Sequence, residues 1–264
     1  GVDPGMKIVE NMKIITQKEI AKNIFQLVLQ GDLVQKITGP GQFVHLKTGE
    51  GTDPLLRRPI SICEYSREKN QMTLIYRAQG RGTILLSKKR QGEYINVLGP
   101  LGNGFPVHDL DEGKQVLITG GGIGVPPLYE LSKQLFSKGI RVTHVLGFQS
   151  ESTAFLYEEF RKMGDTFVAT DDGSMGIKGF VTDVIVQENI PFDRLYACGP
   201  VSMLKTLAEK YPEKEVYISL EERMSCGIGA CFACVKKTVN KADEKGYRKI
   251  CSDGPVFAAG EVIL

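Results

Sequence analysis

Hydrophobic and polar residues alternate in short runs through the first third of the chain. Phe25, Leu27 and Leu29 alternate with Gln26, Val28 and Gln30, and residues 42–46, 59–65 and 72–77 have the same strand character. The polar stretch 66–70 between the last two runs predicts a hairpin loop. Strands this short, joined by turns rich in Gly, Pro and Asn, predict an antiparallel barrel over residues 12–97. Residues 83–89 have helical spacing, which places Ile84, Leu85 and Leu86 to cover one end of it.

After Leu110 the period changes, because each apolar run is now followed by a longer amphipathic stretch. Strands are predicted at 115–119, 141–147, 167–170, 194–198 and 215–220, with helices at 126–137, 179–187 and 201–210. That alternation predicts a parallel sheet with helices on both faces. From Glu221 onward the segment is too small to hold a core without a metal. The expected fold class is therefore β plus α/β, divided at 6–108, 109–220 and 221–264; residues 1–5, ahead of Met6, read as a tag remnant.

Composition changes this picture little. A net charge of +2, with 42% hydrophobic residues and no Trp, is ordinary for a globular protein. It gives no support to a nucleic-acid partner, and Lys88-Lys89-Arg90 reads as a solvated face. There is no internal repeat, no apolar signal segment and no run long enough to span a bilayer, so a reducing, cytoplasmic setting is expected for the six cysteines.

Four of those cysteines carry the strongest chemical signal. Cys226, Cys231 and Cys234 stand in the order Cys-x₄-Cys-x₂-Cys, and Cys251 follows later. That spacing suits a plant-type [2Fe–2S] cluster. The small residues of Gly227-Ile228-Gly229-Ala230 let backbone amides approach the sulfides. Structural zinc and a disulfide pair are the rival readings; zinc favours two separated Cys pairs rather than three cysteines in one loop. Cys63 and Cys198 are isolated.

Two further constellations concern phosphates. Gly120, Gly121, Gly122 and Gly124 lie between a predicted strand and a predicted helix, with Pro126 in the first turn. Glycines there let a pyrophosphate approach the backbone, although a tight strand-to-helix turn explains them nearly as well. Open parallel sheets bind ligands beyond the C-terminal ends of their strands, where Asp171, Asp172, Cys198, Gly199 and Pro200 fall. Either aspartate suits an adenosine ribose and would repel a 2′-phosphate, which favours NAD(H) over NADP(H); the plainer reading is that both cap the turn. Cys198 is placed either near a nicotinamide or in the core. In the barrel, Arg58, Pro59, Ile60 and Ser61 open one strand, Ile75, Tyr76 and Arg77 close another, and Gly82 and Thr83 begin the short helix. Guanidinium forks, a hydroxyl and free amides are what a flavin dinucleotide diphosphate needs, while a surface turn and a simple helix cap remain the alternative.

The order of these motifs resembles the ferredoxin-reductase superfamily. The stretches Glu221-Glu222-Arg223-Met224-Ser225-Cys226 and Cys251-Ser252-Asp253-Gly254-Pro255 resemble, more narrowly, the electron transfer subunits of type B dihydroorotate dehydrogenases. The resemblance spans residues 6–264. It implies FAD on Arg58, Pro59, Ile60, Ser61, Ile75, Tyr76, Arg77, Gly82 and Thr83, a [2Fe–2S] cluster on the four cysteines, and NAD as the terminal partner. It implies an FMN-containing catalytic subunit, two copies of each, and electrons passing from that FMN through cluster and FAD to NAD⁺ in pyrimidine biosynthesis. No side chain is assigned as a general acid or base. One departure stands out: the superfamily carries an aromatic residue where this chain has Ile60, so stacking from that position is not expected. The small subunit of a ferredoxin:NADP⁺ transhydrogenase or sulfide dehydrogenase is the nearest rival, and a zinc-stapled binding module is the rival from another class.

Overall fold

The computed structural model describes residues 6–49, 57–221 and 234–264. Six antiparallel strands close the barrel: β1 (Ile8–Ala21), β2 (Ile24–Gln30), β3 (Phe43–Lys47), β4 (Arg57–Ser66), β5 (Gln71–Arg77) and β6 (Tyr94–Leu101), in the order β1-β2-β5-β4-β3-β6. Their period-2 pattern sends Met12, Ile14, Leu27, Leu29, Val44, Leu46 and Leu74 into a common core at or near full burial. The expected barrel is thus present.

Helix α1 (Arg81–Ser87) caps it, but only through Leu86, which is fully buried, whereas Ile84 and Leu85 are exposed. Consecutive helical residues point about 100° apart, so one of three neighbours faces the barrel and the others turn outward.

The second layer system is a seven-stranded sheet in the order β10-β9-β8-β7-β11-β12-β15. Its strands are β7 (Gln115–Gly121), β8 (Arg141–Phe148), β9 (Asp165–Thr170), β10 (Ile177–Lys178), β11 (Arg194–Cys198), β12 (Glu215–Ser219) and β15 (Val256–Ala258). All neighbours are parallel except β12 and β15. Helices α2 (Tyr129–Ser137), α3 (Tyr157–Arg161), α4 (Val181–Gln187) and α5 (Val201–Lys210) accompany it. The predicted helix at 126–137 opens as a 3-10 turn at Pro126–Leu128 and becomes α-helical at Tyr129. Strand β15 was not foreseen. It comes from the C-terminal segment, which also forms a hairpin of β13 (Val235–Lys237) and β14 (Tyr247–Lys249) and the short helix α6 (Ile250–Asp253).

Buried polar groups lock the layers. His144 on β8 is fully buried and joins Ser132 Oγ of α2 (2.6 Å) and Thr166 Oγ1 of β9 (2.9 Å). Arg194, 2% exposed, grips the Asp109 carboxylate with both terminal nitrogens and also pairs with Glu215. The Asp109 bond, with smaller help from Tyr196 and Glu215, holds its guanidinium above its usual range. Among the described residues, no helix is long and apolar enough to cross a membrane.

Candidate functional site

Two clefts meet between the barrel and the sheet. The first, about 220 Å³, is lined by Pro59, Ile60 and Ser61 of β4, Ile75, Tyr76 and Arg77 of β5, and Thr83 of α1. These are seven of the nine residues expected at a flavin. The other two adjoin them: a Cβ on Gly82 would stand 2.8 Å from Thr48 Oγ1 and 3.2 Å from Arg58 Nε, so the missing side chain is what lets the Arg58 guanidinium lie against the start of α1. The Thr83 hydroxyl is tied to Gln79, accepting from its N–H (2.8 Å) and donating to its carbonyl (2.7 Å). Capping and cleft-lining are thus combined in one residue.

Strand alternation decides what each side chain does here. Tyr76 turns into the barrel, 2% exposed, and donates to Gln17 Oε1 at 2.7 Å. Gln17 Nε2 in turn donates to the carbonyls of Leu86 (2.9 Å) and Lys89 (2.8 Å) at the end of α1. Tyr76 is therefore an anchor between β5 and α1 as well as a wall of the cleft. Its neighbours Ile75 and Arg77 take the opposite direction, and Arg77 lines both clefts. His45 on β3 is fully buried, with neither ring nitrogen partnered among the described residues; burial, and then the nearby Arg57 charge, bring its pKa down to about 4.

The second cleft, about 670 Å³, opens beyond the C-terminal ends of β7, β8 and β9. The glycine run divides in two. Gly121 and Gly122 line the cleft, and Gly122 has φ +54°. Gly120 and Gly124 instead serve packing: a Cβ on Gly120 would meet Leu128 and Val125 side chains at 2.9 Å, and one on Gly124 would stand 2.4 Å from the Cys198 carbonyl oxygen. Gly199 is similarly tight, its would-be Cβ 3.1 Å from Gly121 N, while Pro200 lines the cleft.

The two aspartates also divide. Asp171 lines the cleft. Asp172 does not; its Oδ1 accepts from Ser174 N–H (3.0 Å) and Ser174 Oγ (2.6 Å), and these bonds hold its carboxyl below the usual range. Asp172 is thus the turn cap and Asp171 the one that faces the cleft.

Several lining residues lay beyond the sequence reading. Glu221 and Ile123 border both clefts, as does the expected Arg77, so the two clefts adjoin. Cys198 Sγ–H points at Glu221 Oε1 at 3.9 Å. Burial raises the Cys198 thiol. Glu221 stands two residues past the end of β12, and the rule that ligands gather at the C-terminal ends of parallel strands would have marked it. Phe43, Leu220 and Pro255 complete the first cleft from three distant parts of the chain and carry no local signal.

Of the four cysteines expected at a cluster, Cys226 and Cys231 lie outside the described residues. Cys234 and Cys251, both buried, bring their sulfurs to 3.2 Å, well beyond the roughly 2.05 Å of a disulfide. The Cys251 backbone N–H points at Cys234 Sγ (3.4 Å), the kind of donor that steadies a thiolate ligand. Two convergent thiols with an amide directed at sulfur fit iron–sulfur ligation. Cys63 and Cys198 sit apart from them in the other core.

A closed flavin-type barrel, a parallel sheet opening toward it and a cysteine segment docked on both define a ferredoxin-reductase-like oxidoreductase. Residues 221–263 match the family model described as the iron-sulfur cluster binding domain of dihydroorotate dehydrogenase B. Along its whole length the chain is similar to the dihydroorotate dehydrogenase B (NAD(+)) electron transfer subunits of Bacillus mycoides (strain KBAB4), at 59% identity over 97% of this chain and 98% of that one, and of Bacillus cereus (strain G9842), at 60% over the same shares. The chain belongs to the family of dihydroorotate dehydrogenase B electron transfer subunits. Among solved structures, one from a study of flavin-based electron bifurcation by an NADH-dependent reduced ferredoxin-NADP oxidoreductase superposes with a TM-score of 0.84, at 30% identity over 96% of this chain and 90% of that one. Phthalate dioxygenase reductase shares the fold at a TM-score of 0.63 and 18% identity, covering 97% of both chains. The transhydrogenase-like rival thus stands at half the identity of the dihydroorotate dehydrogenase subunits, and the match over 221–263 replaces zinc by iron–sulfur.

Proposed function

We propose that this chain carries electrons between a dihydroorotate-oxidising catalytic subunit and NAD⁺, with FAD in the first cleft, NAD(H) in the second and a [2Fe–2S] cluster on Cys226, Cys231, Cys234 and Cys251. The partner would hold FMN, two copies of each subunit would assemble, and the complex would work in the cytoplasm in pyrimidine synthesis. Its functional units would be 6–108 for FAD, 109–220 for NAD and 221–264 for the cluster. The observation that carries this reading is that Arg77, Ile123 and Glu221 line both clefts, which sets the two side by side. A bound flavin exchanges a hydride with nicotinamide and single electrons with an iron–sulfur centre, which is why one chain needs both sites.

The chain's own residues supply position and charge. Arg58 and Arg77 oppose the negative charge of a dinucleotide diphosphate, and Gly82 gives Arg58 its room. Pro59 and Ile75 wall the first cleft with apolar surface, Ser61 adds a hydroxyl, and Tyr76 keeps β5 fixed to α1 through Gln17. Asp171 accepts from the ribose diol and repels a 2′-phosphate. In the core behind the clefts, Cys198 keeps its proton because burial raises its pKa, and it directs that S–H toward Glu221. Arg77 and Glu221 set opposite charges on the shared wall. The test is co-purification with an FMN-containing partner followed by assay of dihydroorotate-dependent NAD⁺ reduction. A complex lacking that activity, or no partner at all, would refute the proposal.

A further inference from the structure

Between the described residues 6–104 on the barrel side and 234–264 in the cysteine segment there are three hydrogen bonds, and Asn103 makes all of them. Its backbone N–H donates to the Gly254 carbonyl at 2.8 Å. Its side chain forms a two-way pair with the backbone of one residue: Nδ2 donates to the Val256 carbonyl (3.0 Å) and Oδ1 accepts from the Val256 N–H (3.1 Å). The held stretch 254–256 lies between two chemical sites. On one side Gly254 N–H closes α6 by donating to Ile250, and Cys251 belongs to that helix. On the other, Pro255 lines the first cleft and its carbonyl accepts from Leu220 N–H at 2.9 Å, with Leu220 lining the same cleft.

The approach is close. Gly102 has φ +76°, and a Cβ there would stand 2.6 Å from Pro255 Cδ, 2.7 Å from the Gly254 oxygen and 2.9 Å from Phe43 Cε1. Gln42 Nε2 holds the Gly102 carbonyl at 2.9 Å, so the turn itself is fixed to the barrel. Strand β15 secures the cysteine segment to the sheet, but only Asn103 secures it by hydrogen bonds to the barrel among the described residues.

We infer that Asn103 is a positioning residue that sets the spacing between the cysteine cluster and the flavin cleft. This rests on the reading of the two sites given above. An amide is required for the role, since it presents a donor and an acceptor to the backbone of one residue; aspartate keeps the acceptor and loses the donor, and alanine loses both.

The experiment compares the holoprotein with Asn103→Ala and Asn103→Asp on four readings: iron and FAD per chain, NADH-driven reduction of a flavin-accepting dye, NADH-driven bleaching of the cluster in stopped flow, and hydrogen exchange over residues 250–257. In Asn103→Ala, dye reduction should stay within about twofold while cluster reduction slows about tenfold or more, as displacements of an ångström do at reacting centres. Asn103→Asp should fall between, and exchange over 250–257 should quicken in both. Unchanged cluster reduction and exchange in Asn103→Ala would overturn the inference. Equal loss of dye and cluster reduction in both variants would overturn it too, since the residue would then only support the fold. A wild-type protein without iron, or without NADH-driven dye reduction, would instead refute the underlying site assignment. If Asn103→Ala does not fold, Asn103→Asp alone decides by the same criteria.

Discussion

Gly124→Ala tests the division of the glycine run between packing and binding. The added methyl would stand 2.4 Å from the Cys198 oxygen, 2.5 Å from its carbonyl carbon and 2.6 Å from Gly199 N. These are main-chain atoms that cannot swing aside, so the turn at 198–200 must retreat by about 1 Å to restore ordinary contact. Overpacking of this kind costs about 1–3 kcal/mol. At about 2–4 °C per kcal/mol for a chain of this order of size, a middle value of about 2 kcal/mol lowers the melting temperature by roughly 4–8 °C. The displaced turn carries Pro200 and leads into α5, whose Ser202 and Met203 line the second cleft. The KM for NADH should therefore rise about tenfold, with FAD retained. Gly39→Ala is the matched control, because nothing lies within 4 Å of its would-be Cβ and its φ is not positive. It should change neither quantity. A Gly124→Ala protein melting within a degree of the parent, with the parent's KM, would refute the packing argument.

Other outcomes follow from the same geometry. Asp171→Ala should narrow the preference for NADH over NADPH by about tenfold while Asp172→Ala leaves it alone, measured as the ratio of kcat/KM values; equal effects would show that the two aspartates are not divided as described. His45 and His144 are both brought from 6.5 to about 4, chiefly by burial. An unfolded chain takes up those protons below about pH 6.5, so the stability they contribute is complete above that value and is lost as the pH falls toward 4. At about 1.4 kcal/mol per pH unit each ring accounts for roughly 3 kcal/mol at most. Urea unfolding of His45→Phe should accordingly lose less stability than the parent between pH 7 and pH 4.5, and parallel curves would count against the assignment. Cys251→Ser should abolish the cluster signal in electron paramagnetic resonance and keep the flavin absorbance; an unchanged reduced-state spectrum would remove Cys251 from the ligand set.

What could be read in advance follows the range over which each signal acts. The alternation of Phe25, Leu27 and Leu29 is a property of a few neighbouring residues, and it marked β2 correctly; the run at 194–198 marked β11 in the same way. Helix α1 was legible as a helix, but whether Ile84, Leu85 or Leu86 faced inward depends on its rotation against a barrel built elsewhere in the chain. The glycine run announced a phosphate-type turn, yet its division depends on the main chain of Cys198 passing behind Gly124, a contact across more than seventy positions. Asp171 and Asp172 are chemically equal in sequence, and only Ser174 folding back on one of them separates their roles. Cysteine spacing was informative because ligands to one metal must converge, and Cys234 and Cys251 do so across 17 positions.

Strand β15 gives the cysteine segment a second consequence. Of the neighbours of β12, β11 belongs to the nucleotide sheet and β15 to the segment that holds Cys234 and Cys251. Without β15, the main chain of Glu215–Ser219 would present a row of unpaired donors and acceptors with Val216 and Ile218 among them, a template for pairing with another molecule. The metal segment is thus also the guard of a sheet edge: a chain that loses its iron and releases this segment would put its own solubility at risk, not only its electron path.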